Sequence, residues 1–218
     1  MWMWICLTIF SHNHSLDYYT NASRTTIQSE VKQSEANIQI EYMPNRKTIG
    51  FGVERDVVDN PYSRFFINYS HGFKGVLNSD FKYEKLQLFY KQPIIIGPLG
   101  RTNITMELGK TFGTIPLGLM SVIPGNQTYF TIENTFSNLN FYEFISDQYA
   151  TLKWDHNFNG RIFARIPFMR KLNWREVIAG KALIGSLSRT NQEILNLPST
   201  IYKLSAPYYE ASAGVENI

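Results

Sequence analysis

The sequence predicts an all-β protein, an antiparallel meander of about seven to nine strands forming a curved, incomplete transmembrane β-barrel with long external loops. Three observations predict it. Short runs alternate apolar and polar residues. Their polar positions carry amides, hydroxyls, glycines and isolated charges instead of rows of Lys and Glu. Aromatic residues reach 15% while charged residues stay at 18%, against roughly 25% charged in an average soluble domain. Successive strand side chains point to opposite faces, so alternation gives each strand one apolar and one polar face. A polar face of amides and hydroxyls fits a barrel lumen, and rings with one apolar and one wet side fit the two membrane–water interfaces.

The elements follow in order. Met1 to Phe10 is apolar but has no positive leader region and no small-residue cleavage site, so it reads as an internal strand and not a signal peptide. Export to an outer membrane needs a signal, so the true start is expected upstream. Ala36, Ile38, Ile40 and Tyr42 alternate with Asn37, Gln39 and Glu41 before Pro44-Asn45 breaks the run. Further strands are expected at 47–54, 62–71 and 81–91. Thr102, Ile104, Met106 and Leu108 alternate with Asn103, Thr105, Glu107 and Gly109; Ala150, Leu152 and Trp154 alternate with Thr151, Lys153 and Asp155. A strand is expected at 174–187, after a helical turn around Phe168 to Arg175. The last strand carries Tyr209, Ala211, Ala213 and Val215 against Glu210, Ser212 and Gly214. The whole chain, 1–218, reads as a single partial-barrel domain, with 1–35 a poorly defined strand or loop and 36–218 the barrel strands.

Connections 72–80, 113–142 and 188–207 are long, whereas 43–46, 55–61 and 92–100 are short. Barrels place long loops outside and short turns on the periplasmic side. Alternation then puts 72–80 and 43–46 with the external loops, and 55–61, 92–100 and the oversized 158–173 on the periplasmic side. The chain stops at Gly214-Val215-Glu216-Asn217-Ile218, in what reads as a penultimate strand. A closing strand is expected beyond it, and the chain alone is not expected to close a stable barrel.

Bulk chemistry excludes several functions. The net charge is +3 and basic residues are spread along the chain, which gives no nucleic-acid footprint. One cysteine, Cys6, permits no internal disulfide and no Cys-x-x-Cys site. His12 and His14 stand at strand spacing without a third metal ligand. Glu133, Glu143 and Asp147 cluster near one loop, where acid–base hydrolysis is conceivable, but lone acids also brace inward-folded loops against lumen bases. Gly109-Lys110-Thr111 lacks the earlier glycine of a phosphate cradle. The sequons at Asn21, Asn68, Asn103 and Asn126 read as chance. No catalytic residue, cofactor or metal is expected. The segment 125–149, with five Phe or Tyr before Glu143, reads as a lumen plug, as a surface binding site or as an ordinary external loop.

The motifs HGFKGVLNSDF (71–81), GKTFGTIPL (109–117), PGNQTYF (124–130), FYEFISDQY (141–149) and FNGRIFARIPFMRKLNWRE (158–176) resemble a large family of outer-membrane proteins of Bacteroidota. Its full-length members carry a carboxypeptidase-regulatory-like domain ahead of a big barrel of unassigned function. The resemblance covers residues 36–218. It implies the outer membrane of a Gram-negative bacterium, with lipid, the missing strands of the full barrel and the barrel-assembly machinery as partners. A second likeness is to the barrel half of outer-membrane assembly and two-partner-secretion transporters, with 113–142 as the inward-folding loop. Their loop tip carries an Arg-Gly-aromatic signature, and 113–142 contains no arginine. Asn140, Tyr142 and Glu143 occupy that region. With Asp147, they are the residues expected to join loop to wall. The expected function is structural or transport-related and non-enzymatic; the alternative is a soluble carbohydrate-binding β-sandwich with the aromatics as sugar platforms.

Overall fold

The structure is a computed structural model that describes residues 2–12, 31–51, 54–58, 61–115, 117–126, 134–140, 143–194, 201–204 and 206–217. In chain order its strands are β1 (Trp2–His12), β2 (Val31–Tyr42), β3 (Thr48–Phe51), β4 (Glu54–Val57), β5 (Arg64–Gly72), β6 (Tyr83–Ile95), β7 (Arg101–Gly113), β8 (Ser121–Val122), β9 (Phe144–Ser146), β10 (Gln148–Asn157), β11 (Trp174–Ser186), β12 (Tyr202–Lys203) and β13 (Tyr208–Asn217), with short 3-10 turns and, among the described residues, one α-helix, α1 (Arg189–Ile194). Eight strands form one sheet in the order β1-β2-β5-β6-β7-β10-β11-β13, and every neighbouring pair in it is antiparallel. The sheet is open: β1 and β13 are its two edges and are not hydrogen-bonded to each other.

Antiparallel succession sends the connections alternately to two ends. One, the turn end, carries 43–63, 96–100 and 158–173. The other, the loop end, carries 73–82, 114–147 and 187–207.

Several expected elements are corrected. The run 47–54 is not a wall strand. It supplies β3 and part of β4, which pair only with each other as a small hairpin. Residues 43–63 are therefore one connection, and 43–46 shares an end with 96–100 instead of with 73–82. A four-residue alternation carries no information about its partner, and here the nearest partner wins. β2 begins at Val31, five residues before the expected start. β6 runs through Pro93 to Ile95, although proline gives no ladder donor. The reason is local: β5 pairs with β6 only as far as Lys91, so Pro93 sits where the strand has β7 alone beside it. The strand that carries the Ala150–Asp155 alternation begins at Gln148, and the segment before it is separated by a break at Asp147. That segment, β9, leaves the wall and pairs with β8 and, in parallel, with β12. The helical turn before β11 is a short 3-10 stretch, Met169–Leu172.

The register divides the wall into two faces. On one lie Ile38, Ile67, Leu86, Leu108, Leu152, Ile184 and Tyr209, all more than a third exposed. Cross-strand rows such as Ile40–Ile67–Leu88–Leu108–Ala150–Ile184 are uninterrupted. Over the seven strands from β2 to β13, no Asp, Glu, Lys or Arg lies on this open face between Glu84 and Lys110 at the loop end and Glu176 at the turn end. The opposite face carries Glu35, Arg64, Lys85, Glu107, Lys153, Lys181 and Glu210, and the long connections of the loop end fold over it. It is the covered face.

The buried apolar side chains lie between those connections and the covered face. Phe81, Tyr83, Ile115, Met120, Ile145 and Leu187 form one cluster. Ile123, Phe136, Leu139, Leu183 and Leu204 form a second. Most come from connections, so the apolar core is where loops meet wall.

Candidate functional site

The register places Lys153, Lys181 and Glu210 in one row across β10, β11 and β13. All three grip segment 134–140, which crosses the covered face as a strap. Lys153 Nζ donates to the Asn134 carbonyl. Lys181 Nζ donates to the Thr135 carbonyl at 2.8 Å and the Ser137 hydroxyl at 3.1 Å. The Glu210 carboxylate accepts the backbone N–H groups of Ser137 and Asn138 at 2.9 and 2.8 Å, and the Tyr208 hydroxyl at 2.9 Å. Charge-assisted bonds of this kind are stronger than neutral ones. Phe136, fully buried, lies under the Lys153 ammonium, 5.4 Å from the ring centroid, with the edge of Tyr208 at 5.9 Å. An ammonium over a ring face is attracted by its quadrupole.

A second fastening centres on Asp147, buried at the break between β9 and β10. Its Oδ2 accepts the Ser188 N–H at 2.8 Å and the Asn191 side-chain amide at 3.0 Å. Asn191, fully buried on α1, accepts the Ile115 N–H at 3.2 Å and donates to the Gly113 carbonyl at 3.3 Å. One carboxylate and one amide thus bind two of the three connections of the loop end, 114–147 and 187–207, to the wall.

Two tyrosines bridge glycines on the same face. Tyr149 stands opposite Gly109, and a Cβ there would lie 2.2 Å from the ring. Its hydroxyl donates to Glu107 at 2.6 Å. Tyr83 stands opposite Gly72 in the same way, and its hydroxyl donates to Glu35 on the far side of that glycine. Glycine at these positions makes room for a ring to lie along the sheet.

The expected contact residues divide. Asp147 joins loop to wall, chiefly through 187–191. Among the described residues, Glu143 Oε2 accepts the backbone and side-chain N–H groups of Asn140 at 2.8 and 3.0 Å, closing a turn within the loop. The Glu143 backbone carbonyl accepts the Tyr202 N–H at 2.8 Å, which ties loop to loop. Tyr142, Glu133 and His14 lie outside the described residues, as does the His12 side chain. Asn68 and Asn103 both sit on the covered face, donating to Gln87 at 3.1 Å and to Asp155 at 2.7 Å. Among the described residues no group of three His, Cys, Asp or Glu is placed to hold a metal ion. Lys153, Lys181, Glu210 and Asn191 were not foreseen. The one sequence signal for the first three was charge at polar positions of three strands expected to be neighbours, and Asn191 carried none.

Residues 8–195 match a family described as "Family of unknown function (DUF5686) C-terminal domain". The chain belongs to that family. No curated protein and no solved structure matches it. Within this DUF5686 C-terminal domain the matched residues include the strap, Asp147, Lys153, Lys181 and Asn191, while Glu210 lies beyond them. The motif segments between 71 and 176 all fall inside the match.

Proposed function

We propose that this chain is the barrel portion of a longer outer-membrane protein, with its open face against lipid, its covered face toward a lumen that the strap partly fills, and a structural or transport role without catalysis. The observation that carries this reading is the uncharged, apolar, uncovered face that runs across seven strands. Leaving such a face in water would forgo roughly 25 cal/mol per Å² of apolar surface, and soluble monomers rarely expose a patch beyond a few hundred Å². Aromatic residues flank the band. Tyr42, Phe65 and Tyr90 form a row toward the turn end, with centroids 6.1 and 4.6 Å apart, and Phe112 lies beneath Lys110 at the loop end. That is the girdle pattern of a membrane barrel. A carbohydrate-binding sandwich would instead bury its apolar faces against each other.

Lipid cannot satisfy the ladder groups at the β1 and β13 edges. The proposal therefore includes further strands of the longer protein as their partners and the barrel-assembly machinery as the agent of insertion. By the likeness of its motifs, that protein carries a carboxypeptidase-regulatory-like domain and belongs to a Gram-negative bacterium of the Bacteroidota. The test is cysteine labelling in membranes of cells producing the protein from its native gene, with Cys6 replaced by serine. Ile184→Cys on the open face should resist a charged maleimide until detergent is added. Fast labelling in intact membranes would remove the basis of the proposal.

A further inference from the structure

The turn end carries a patch that the barrel reading leaves unexplained. Between Asp155 and Glu176 the sequence has no acidic residue but five basic ones, Arg161, Arg165, Arg170, Lys171 and Arg175. The first four are exposed. Glu176 does not neutralise them, because its carboxylate is buried and accepts the Phe163 N–H. Among the described residues none of the ion pairs involves these five. Apolar side chains alternate with them: Phe168 is 78% exposed, with Ile162 at 48% and Ile166 at 43%. Beneath, Trp174 packs edge-on against Phe163 at 6.2 Å, and His156 meets Phe158 at 4.4 Å, so the patch adjoins aromatic residues at that end of the open face. Left-handed Asn159, Gly160 and Asn173 fold the connection back on itself. The resulting hollow of about 450 Å³ is lined by Asn159, Met169, Arg170, Asn173, Trp174 and Arg175.

Resting on the membrane reading above, we propose that this connection is a binding site for anionic phospholipid headgroups in the leaflet at the turn end. Arg170 and Arg175 line the hollow with two guanidiniums and, beside them, two amides, a donor set matched to a phosphodiester. Phe168 and Ile166 then enter the acyl region alongside, and the exposed basic stems snorkel toward the headgroups. Charge complementarity selects the partner. A basic cluster in which only Arg175 has an acid opposite it in the ladder, Glu216, meets phosphate first beside a lipid-facing aromatic band, and each such residue attracts anionic lipid independently.

The test uses protein produced from its native gene, extracted in mild detergent and moved into nanodiscs of equal phosphatidylcholine and phosphatidylglycerol. Lipids retained after stripping are identified by native mass spectrometry. Wild-type protein should retain phosphatidylglycerol preferentially, and R170Q/R175Q should lower that preference about tenfold. The charge-matched K74Q/R189Q variant, altered in loop-end connections away from the open face, should leave it unchanged. If the protein stays in alkali-washed membranes but shows no preference, or one that R170Q/R175Q does not lower, this inference fails while the barrel reading stands. If alkali strips the protein from the membrane, both fail. Should R170Q/R175Q not accumulate, Arg170→Lys and Arg175→Lys, which keep charge but lose the fork, should each lower the preference severalfold; full retention in both would also overturn the site.

Discussion

Lys181 and Glu210 face each other across β11 and β13, 3.6 Å apart, and hold the same strap by opposite chemistry. The lysine donates to its carbonyl and hydroxyl oxygens; the glutamate accepts its backbone N–H groups. Removing either charge leaves strap groups without a partner, and a stranded polar group costs about 1–3 kcal/mol. Glu210→Ala strands two N–H groups and is expected to increase protease cleavage within 134–140 about tenfold or more, with the sheet intact. Cleavage at the wild-type rate would show that Phe136 and Leu139 alone seat the strap.

Asp147 and Glu143 separate two roles that lie four residues apart. Asp147 fastens Ser188 and Asn191, whereas the Glu143 carboxylate closes a turn with Asn140. Asp147→Asn keeps the volume but turns an acceptor toward an amide donor, so it should loosen 187–194 and 113–115 together in hydrogen exchange. Glu143→Ala should leave those segments protected and affect only 140–143. Equal effects from both substitutions would contradict the division.

Tyr149 over Gly109 predicts a steric response. A methyl at 109 would stand 2.2 Å from the ring, so Gly109→Ala must displace Tyr149 from Glu107. Overpacking of this kind costs about 1–3 kcal/mol. The expected signature is a lower unfolding midpoint that Tyr149→Ala partly restores in the double variant. Additive losses would mean that the ring is not the obstacle.

Much of the wall was legible because its cause is local. Alternation is a property of each segment, so β2, β7, β10, β11 and β13 could be read from residue order, and the apolar face with them. Pairing was not legible where two partners competed. The alternation that is clear from Ala150 to Asp155 does not reach back to Phe144, and Phe144–Ser146 join β8 because Asp147 turns the chain at the wall's rim. The 47–54 run folds onto its neighbour for a similar reason. The site was read less well. Asn140 and Glu143 were expected at the wall because they occupy the region of the transporters' loop-tip signature, but proximity in sequence made them partners of each other. Lys153, Lys181 and Glu210 are distant in sequence and meet only through register, which residue order does not contain.

In a lipid-facing band, an arginine should cost about 2–4 kcal/mol at the bilayer midplane and about 0–1 near the interface, whereas on a solvated face the two positions would be equivalent. Leu108 lies in the row running from Ile40 to Ile184, and Phe112 lies at the loop end beyond Lys110. If the open face meets lipid as proposed, Leu108→Arg should reduce the amount of folded protein recovered in membranes severalfold, while Phe112→Arg leaves it close to wild type. Both side chains are similarly exposed, 43% and 49%, so accessibility alone predicts no difference between them. A depth-dependent loss would identify lipid as the medium covering this face. Equal tolerance at both positions would mean that something other than a bilayer lies against it.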